Sequence, residues 1–551
     1  MSNSLNEKQV LCPHCWHQFY PDQALYIATH PELYGDDVLG QNENTRYAPS
    51  QVQKDRTGIA KDPMGGTMTE RACPTCHLQI PPELLIQAGK ILSMVGAPAS
   101  GKTYFLTSML HELRRELVQK FGLTLRDSDS HEVKVFLDFE STLFASSAPD
   151  NLTQLSKTFE AGSQYNIVKI NGKDFQLPKP LMFSLSPSLS NPDKRLSRTL
   201  QVPIVLYDNA GESFEFLEEK KTGSRVTQHL SKSEAIFFIF DPALDASTRQ
   251  KLQSESDDPQ VSPINRVPPI RNGGQETFVK PHRQETLLTE LINRIRRQRG
   301  LPSSHLIPAP LLVCVQKYDI WKSLMPCSKI ISKNGTVTDI VDDSSVVFSE
   351  KLGIAGLDID EINRIGLLVR AFLEDSDPTF VELAESNFQT VRYFPVSALG
   401  TSPEVDEDVV MKLGYVREAL KVRPNKIAPF RVTHPVLWLL LRWKLIRPLN
   451  KRAMPTNIPH AVASFDRRSG KMRVTLPSKR ILMLDLEYSE MVIVDPYSEQ
   501  FVWIPKIEVD TESSSSDQTR KSEPVKSVAP MHSLKLQPPA PQPAKRGWFK
   551  K

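Results

Sequence analysis

The chain has 551 residues, 39% hydrophobic and 24% charged, which is enough apolar side chain for three or four units of roughly 150 residues and too much for disorder throughout. Sixty-eight basic residues face 64 acidic ones, and residues 520–551 hold eight of the basic side chains against Glu523 alone. The body is therefore slightly acidic, which argues against a surface that coats nucleic acid generally. Six cysteines exclude a disulfide scaffold, and the 43 prolines against 24 glycines point to Pro-rich loops or tails. The first residues lack the apolar stretch of a secretory signal, and the longest apolar run, from Val436 to Leu441, is too short to span a bilayer, so the expected location is the cytoplasm.

Residues 1–88 carry Cys12-Pro-His-Cys15 and Cys73-Pro-Thr-Cys76. In this spacing two thiolates on a tight turn bind one metal, and two such turns complete a closed tetrahedral Zn²⁺ site of structural type. Redox thiol pairs are the alternative, although a redox pair usually opens a helix. The 57 residues between the pairs read as an extended loop or insertion, His14, His17 and His77 as solvent-facing neighbours, and no internal repeat is evident.

From Gly89 the pattern changes. A strand from Ile91 to Val95 runs into Gly96-Ala97-Pro98-Ala99-Ser100-Gly101-Lys102-Thr103, and a helix follows in which Phe105, Leu106, Met109, Leu110, Leu113 and Leu117 recur with helical period until Gly122. Glycines let several backbone N–H groups face one anion at a helix N-terminus, Lys102 adds a point charge for β- and γ-phosphates, and the Thr103 hydroxyl suits Mg²⁺.

Further apolar strands are predicted from Leu181 to Leu185, Val202 to Tyr207, Ala235 to Phe240, Leu311 to Val315 and Val391 to Val396. Strands alternating with helical patterns imply an α/β fold with a mostly parallel sheet covered on both faces. The strand at 202–207 leads into Asp208-Asn-Ala-Gly211, where Asp208 could hold Mg²⁺ through water and the Gly211 N–H could meet a γ-phosphate. The strand at 311–315 leads into Gln316-Lys317-Tyr318-Asp319. A carboxylate at the fourth place accepts from the N1–H and exocyclic amine of guanine, a donor pair adenine does not present, while Lys317 lies along the base plane. After the strand ending at Val396, Ser397-Ala398 places a backbone N–H where it could meet the guanine oxygen.

Between these strands, 246–282 reads as an irregular loop, 320–390 as a mixed insertion, and Arg294, Arg296, Arg297 and Arg299 as the solvated basic end of a helix from His282. Cys314 reads as core. Pro435 to Ile446 reads as the last helix, 449–509 as a small β-rich appendage, and 510–551 as a disordered tail whose end, Lys545 to Lys551, mixes basic and aromatic residues suited to weak membrane-surface or protein docking.

The four segments at 96–103, 208–211, 316–319 and 397–398 together resemble the motifs of Ras-like P-loop GTPases of the translation-factor-related class, over about residues 89–448. With the zinc module and long insertions the chain also looks somewhat like bacterial double-GTPase proteins of conflict systems. The resemblance implies a GTPase domain binding GTP or GDP with Mg²⁺, a switch output after Asp208, and a protein partner. Three positions depart from the pattern. Glu212 stands where the hydrolytic Gln is usual and cannot donate to phosphate as a carboxylate, so slow hydrolysis is expected. Gln316 stands in place of Asn or Thr. The switch I threonine is assigned to Thr158, with Thr153 and Thr142 as rivals. A GTP-binding scaffold with little hydrolysis and an ATP-using P-loop protein are the competing readings.

Overall fold

A computed structural model describes residues 9–128, 130–155, 165–189, 191–192, 201–208, 228–261, 284–326, 329–331, 337–339, 346–349, 354–408, 420–449, 458–498 and 500–507. Its largest sheet is built from β1 (Lys90–Gly96), β2 (Leu123–Asp127), β3 (Leu181–Pro187), β4 (Val202–Asp208), β5 (Ala235–Phe240), β6 (Leu311–Val315) and β7 (Val391–Pro395), in the order β2-β3-β4-β1-β5-β6-β7. Neighbours from β4 to β7 run parallel; β3 is antiparallel to β4, and β2 to β3. Six of these strands are the apolar runs read from the sequence. The seventh, β2, is an edge strand in which only Leu123 and Leu125 are buried.

Central strands without charge can be covered on both faces. In β5, Phe237 and Ile239 join one core with Phe105, Leu110, Phe136 and Leu437, while Ile236, Phe238 and Phe240 join another with Leu291, Leu368 and Phe380. The helices concerned are α1 (Lys102–Glu116), α2 (Ser130–Phe144), α3 (Ala246–Leu252), α4 (Gln284–Arg299), α5 (Ile359–Ser376), α6 (Pro378–Asn387) and α7 (His434–Arg442). α1 continues into a π-helical turn, Leu117–Phe121, that ends on Gly122 at φ 60°, a left-handed conformation glycine adopts without a Cβ penalty.

The chain places β3 and β4 on one side of β1 and β5–β7 on the other. The carboxyl ends of β1 and of its parallel neighbours therefore share one sheet edge around a topological switch point, where open α/β sheets bind ligands.

Several sequence expectations change. Residues 16–72 are folded: Leu25–Ile27, Arg46–Tyr47, Arg71–Ala72 and Gln79–Ile80 make a four-stranded sheet, flanked by the hairpins Tyr34–Asp36/Gly40–Asn44 and Gln53–Lys54/Ala60–Lys61. This module packs on Ile91, Met182, Val205 and Tyr207 of the large sheet. The region read as a loop from 246 opens with α3, capped where Asp245 accepts the Thr248 N–H at 2.8 Å. The region 320–390 contributes α5 and α6, which cover the sheet, and Trp321 stacks on Phe372 with ring centroids 4.4 Å apart. In α4, Arg294 is buried and paired with Glu290 at 2.6 Å, and Arg299 donates to the Ser231 carbonyl at 2.6 Å, so these cations lock the fold rather than line a solvated face.

Toward the C-terminus, Val462–Asp466, Lys471–Thr475 and Ile481–Leu484 form an antiparallel sheet, and Met491–Asp495 pairs with Gln500–Ile504. Their core includes Leu367 of α5, and buried Arg392 of β7 reaches Asp485 at 2.6 Å and Glu487 at 2.8 Å. The basic tail beyond 507 lies outside the described residues. Among those described, no helix is long and apolar enough to cross a membrane.

Candidate functional site

At the carboxyl end of β1 the chain turns sharply into α1. A Cβ on Gly96 would sit 2.9 Å from both Cβ and the carbonyl oxygen of Ile239, so only glycine allows β5 to approach this closely. Gly101 at φ 82° and Ala99 at φ 59° supply left-handed turns that curl the loop. The Lys102 ammonium folds back over the loop, 3.0 Å from the Gly96 carbonyl and 2.9 Å from that of Ala97. The Ser100 hydroxyl is buried with no hydrogen-bond partner among the described residues, and Thr103 is the second residue of the helix. A curled loop, a helix N-terminus and one cation thus lie side by side, which are the elements from which anion sites are built.

Next to it, β4 ends at Asp208. Burial pushes its carboxyl up to about 6 against the opposing pull of Lys102, and its Oδ1 has no partner among the described residues. Gly211, Glu212 and Thr158 lie outside the described residues. The rival threonines are both engaged: Thr142 donates to the Asp138 carbonyl within α2 at 2.8 Å, and Thr153 pairs by its backbone with Val422.

Two further loops meet beyond β6 and β7. Gln316 is buried; its N–H bonds the Phe240 carbonyl at 2.9 Å, and its carbonyl accepts from the Trp321 indole at 2.8 Å. Lys317, at φ 58°, turns the chain and holds Asp241 at 2.6 Å and Gln260 Oε1 at 2.8 Å. The Ser397 hydroxyl donates to Asp319 Oδ1 at 2.5 Å. Burial pushes the Asp319 carboxyl up, the nearby Asp258 adds to this, and the Ser397 and Lys317 contacts oppose it. The Ser397 N–H is taken by the Phe430 carbonyl at 3.0 Å, and Ala398 is buried beside it. The structure therefore places Gly96, Ala97, Ser100, Gly101, Lys102, Thr103, Asp208, Gln316, Lys317, Asp319, Ser397 and Ala398 at or just after the carboxyl ends of strands β1, β4, β6 and β7, at the same sheet edge.

The cysteine pairs also come together. The four Sγ atoms of Cys12, Cys15, Cys73 and Cys76 lie within 4.8 Å of one another, with Cys12 to Cys76 at 3.7 Å and Cys15 to Cys73 at 3.6 Å. Four sulfurs at about 2.3 Å from one Zn²⁺ stand about 3.8 Å apart, so the cluster fits a tetrahedral thiolate site. Burial pushes the Cys12 thiol up, whereas hydrogen bonds from the other three hold Cys73 down; a cation at the centre would favour all four thiolates.

The two turns are built alike and amount to a short internal repeat. His14 N–H faces Cys12 Sγ at 3.4 Å and Thr75 N–H faces Cys73 Sγ at 3.3 Å, and the next residue after each second cysteine, Trp16 or His77, is left-handed. The signal was present in Cys-Pro-His-Cys-Trp-His-Gln-Phe and Cys-Pro-Thr-Cys-His-Leu-Gln-Ile. Nor is His14 solvent-facing: it is buried, with Nε2 3.1 Å from the Gln79 carbonyl, and His77 Nδ1 sits 2.8 Å from Asp36.

No protein-family model matches the chain. One curated protein, from Mycolicibacterium smegmatis and described as "Putative ESX-1 scaffolding and assembly protein SaeC", is 22% identical over 448 residues, covering 78% of this chain and 97% of its own. The similarity thus extends over most of both chains rather than over one motif.

Proposed function

We propose that the protein binds guanine nucleotide at the edge formed by β1, β4, β6 and β7 and acts as a slow GTP-hydrolysing switch. The carrying observation is that a phosphate-type loop, an ionisable carboxylate and a Ser397-anchored Asp319 all follow strands whose carboxyl ends share that edge. The backbone of 97–101 and the Lys102 ammonium would receive the β- and γ-phosphates, Lys102 exchanging its contacts with Gly96 and Ala97 for phosphate oxygens. Thr103 and Asp208 are the residues that would hold Mg²⁺, which supplies charge neutralisation between the phosphates. Asp319 would accept from the N1–H and amine of guanine, with its plane set by Ser397.

Glu212 follows Gly211 where a neutral donor would orient water, so intrinsic turnover would be slow and a partner or another group would have to assist. A second reading, a nucleotide-binding scaffold with little hydrolysis, is favoured by Glu212 and by the assembly role in the name of the Mycolicibacterium smegmatis protein. The nucleotide retained on purification tests the first claim: GDP or GTP is expected, and ATP or ADP in its place refutes the base assignment. Single-turnover hydrolysis with and without candidate partners then separates switch from scaffold.

A further inference from the structure

We infer that Tyr207 is a positioning residue that ties the four-cysteine cluster to Asp208, so that metal at the cluster and nucleotide at the sheet edge bind cooperatively. The inference rests on the nucleotide reading above and names a control over that site.

Tyr207 is the residue before Asp208 and is 1% exposed. Its hydroxyl donates to the carbonyl of Pro13, which lies inside the first cysteine turn between Cys12 and His14. Trp16, directly after Cys15, lies against the same ring at 5.2 Å. His229 stacks on Tyr207 with centroids 4.5 Å apart and planes 9° from parallel, and its Nδ1 is 2.6 Å from Ser93 Oγ. Ser93 is registered opposite Tyr207 across β1 and β4, three residues before Gly96. The cysteine turn, Tyr207, His229 and β1 are thus one packed stack.

Side chains alternate along a strand, so Tyr207 faces the cysteine module while Asp208 faces the other way, and any rotation of the Tyr207 peptide re-aims the carboxylate. The position of the Pro13 carbonyl depends on the turn that holds it, and that turn carries Cys12 and Cys15, two of the four clustered cysteines that would bind one ion together. Losing the ion would release Pro13 and Trp16, loosen the clamp on Tyr207 and weaken the site Asp208 helps to form. Binding linkage is reciprocal, so nucleotide would in turn retain the ion.

The test uses the full chain, zinc-loaded or stripped with a zinc-selective chelator that spares Mg²⁺, titrated with a fluorescent GDP analogue. Stripping is expected to weaken GDP binding about tenfold in the wild type. Tyr207→Phe keeps the ring and, still carrying one zinc per chain, should also bind GDP about tenfold more weakly; stripping it should then add less than about twofold. Saturating GDP should slow zinc loss from the wild type but not from Tyr207→Phe. Because stripping could unfold the module, the zinc-loaded Tyr207→Phe variant stands as an independent arm: unchanged GDP affinity there overturns the inference, as do losses that simply add. If zinc-loaded wild type binds no guanine nucleotide at all, the proposed function itself fails and this inference falls with it.

Discussion

Ser397 Oγ donates to Asp319 Oδ1 at 2.5 Å while accepting the Gly400 N–H at 2.8 Å, so a hydroxyl with both roles used orients a half-buried carboxylate. Under the guanine reading, that orientation is what matches two donors on one base edge. Asp319→Asn replaces an acceptor with an amide able to donate to the C2 carbonyl of xanthine, and competition binding should show preference moving from GDP toward XDP. Ser397→Ala keeps the carboxylate and loses its anchor; GDP affinity should fall roughly tenfold with base preference unchanged. An Asp319→Asn protein that still prefers GDP would remove the residue from base recognition.

The Lys102 contacts make a different prediction. Its ammonium rests on two carbonyls of the loop it serves, partners that a bound phosphate would replace. Lys102→Ala should abolish tight binding of guanine and adenine nucleotides alike while changing folding stability by no more than about 1 kcal/mol, read by denaturant titration. Lys102→Arg should not restore binding, since a planar fork does not substitute for a point charge in a close backbone cradle.

The parts of this architecture that were legible in the sequence share a physical reason. Strands such as Ala235–Phe240 and Leu311–Val315 are buried on both faces, so they appear as unbroken apolar runs, and the residues that follow them stand out by contrast. Where structure is made of short, half-polar pieces that signal vanishes. The hairpin Tyr165–Ile170/Lys173–Pro178 does carry a local cue: its turn is Asn171-Gly172, with φ of 52° and 76°, the pairing that two left-handed residues in a tight hairpin require. The cap Asp377-Pro378 at the start of α6 is another, the Asp377 carboxylate accepting the Phe380 N–H at 3.0 Å. By contrast, no local pattern announces that Tyr207 reaches Pro13, because the two are brought together only by the docking of the cysteine module on β4.

The C-terminal strands are held to the sheet by a buried charge. Arg392 of β7 is almost wholly enclosed and binds Asp485 and Glu487 from that appendage, with the Trp438 and Tyr488 rings beside it. Glu487 is 43% exposed and the Asp485 side chain 15%, so water recovers part of what is lost when the arginine is removed. Arg392→Ala should therefore cost about 2–3 kcal/mol, visible as a lower thermal midpoint, with the nucleotide site unaffected apart from that loss. A midpoint within a degree of wild type would show that Arg392 does not hold the appendage.

Asp208 yields a pH dependence whose sign can be worked out. Its carboxyl titrates near 6 in the folded chain because burial disfavours the charge, against about 3.9 when unfolded. The unfolded state releases this proton first as pH rises, so the neutral carboxyl contributes stability below about pH 4 that is progressively lost up to about pH 6 and absent above it. At pH 7.5 the ionised Asp208 is therefore a burden on the nucleotide-free protein, and Asp208→Asn should stabilise it by about 1–2 kcal/mol in denaturant titration. Binding runs the opposite way. A carboxylate is what a divalent cation needs, so the gain in GDP affinity on adding Mg²⁺ should be small at pH 5, rise through pH 6 and level off above pH 7. In Asp208→Asn the Mg²⁺ gain should be small at every pH. A variant that is less stable than wild type, or that keeps the pH-dependent Mg²⁺ gain, would place the charge held near 6 on some other group and remove Asp208 from the metal site.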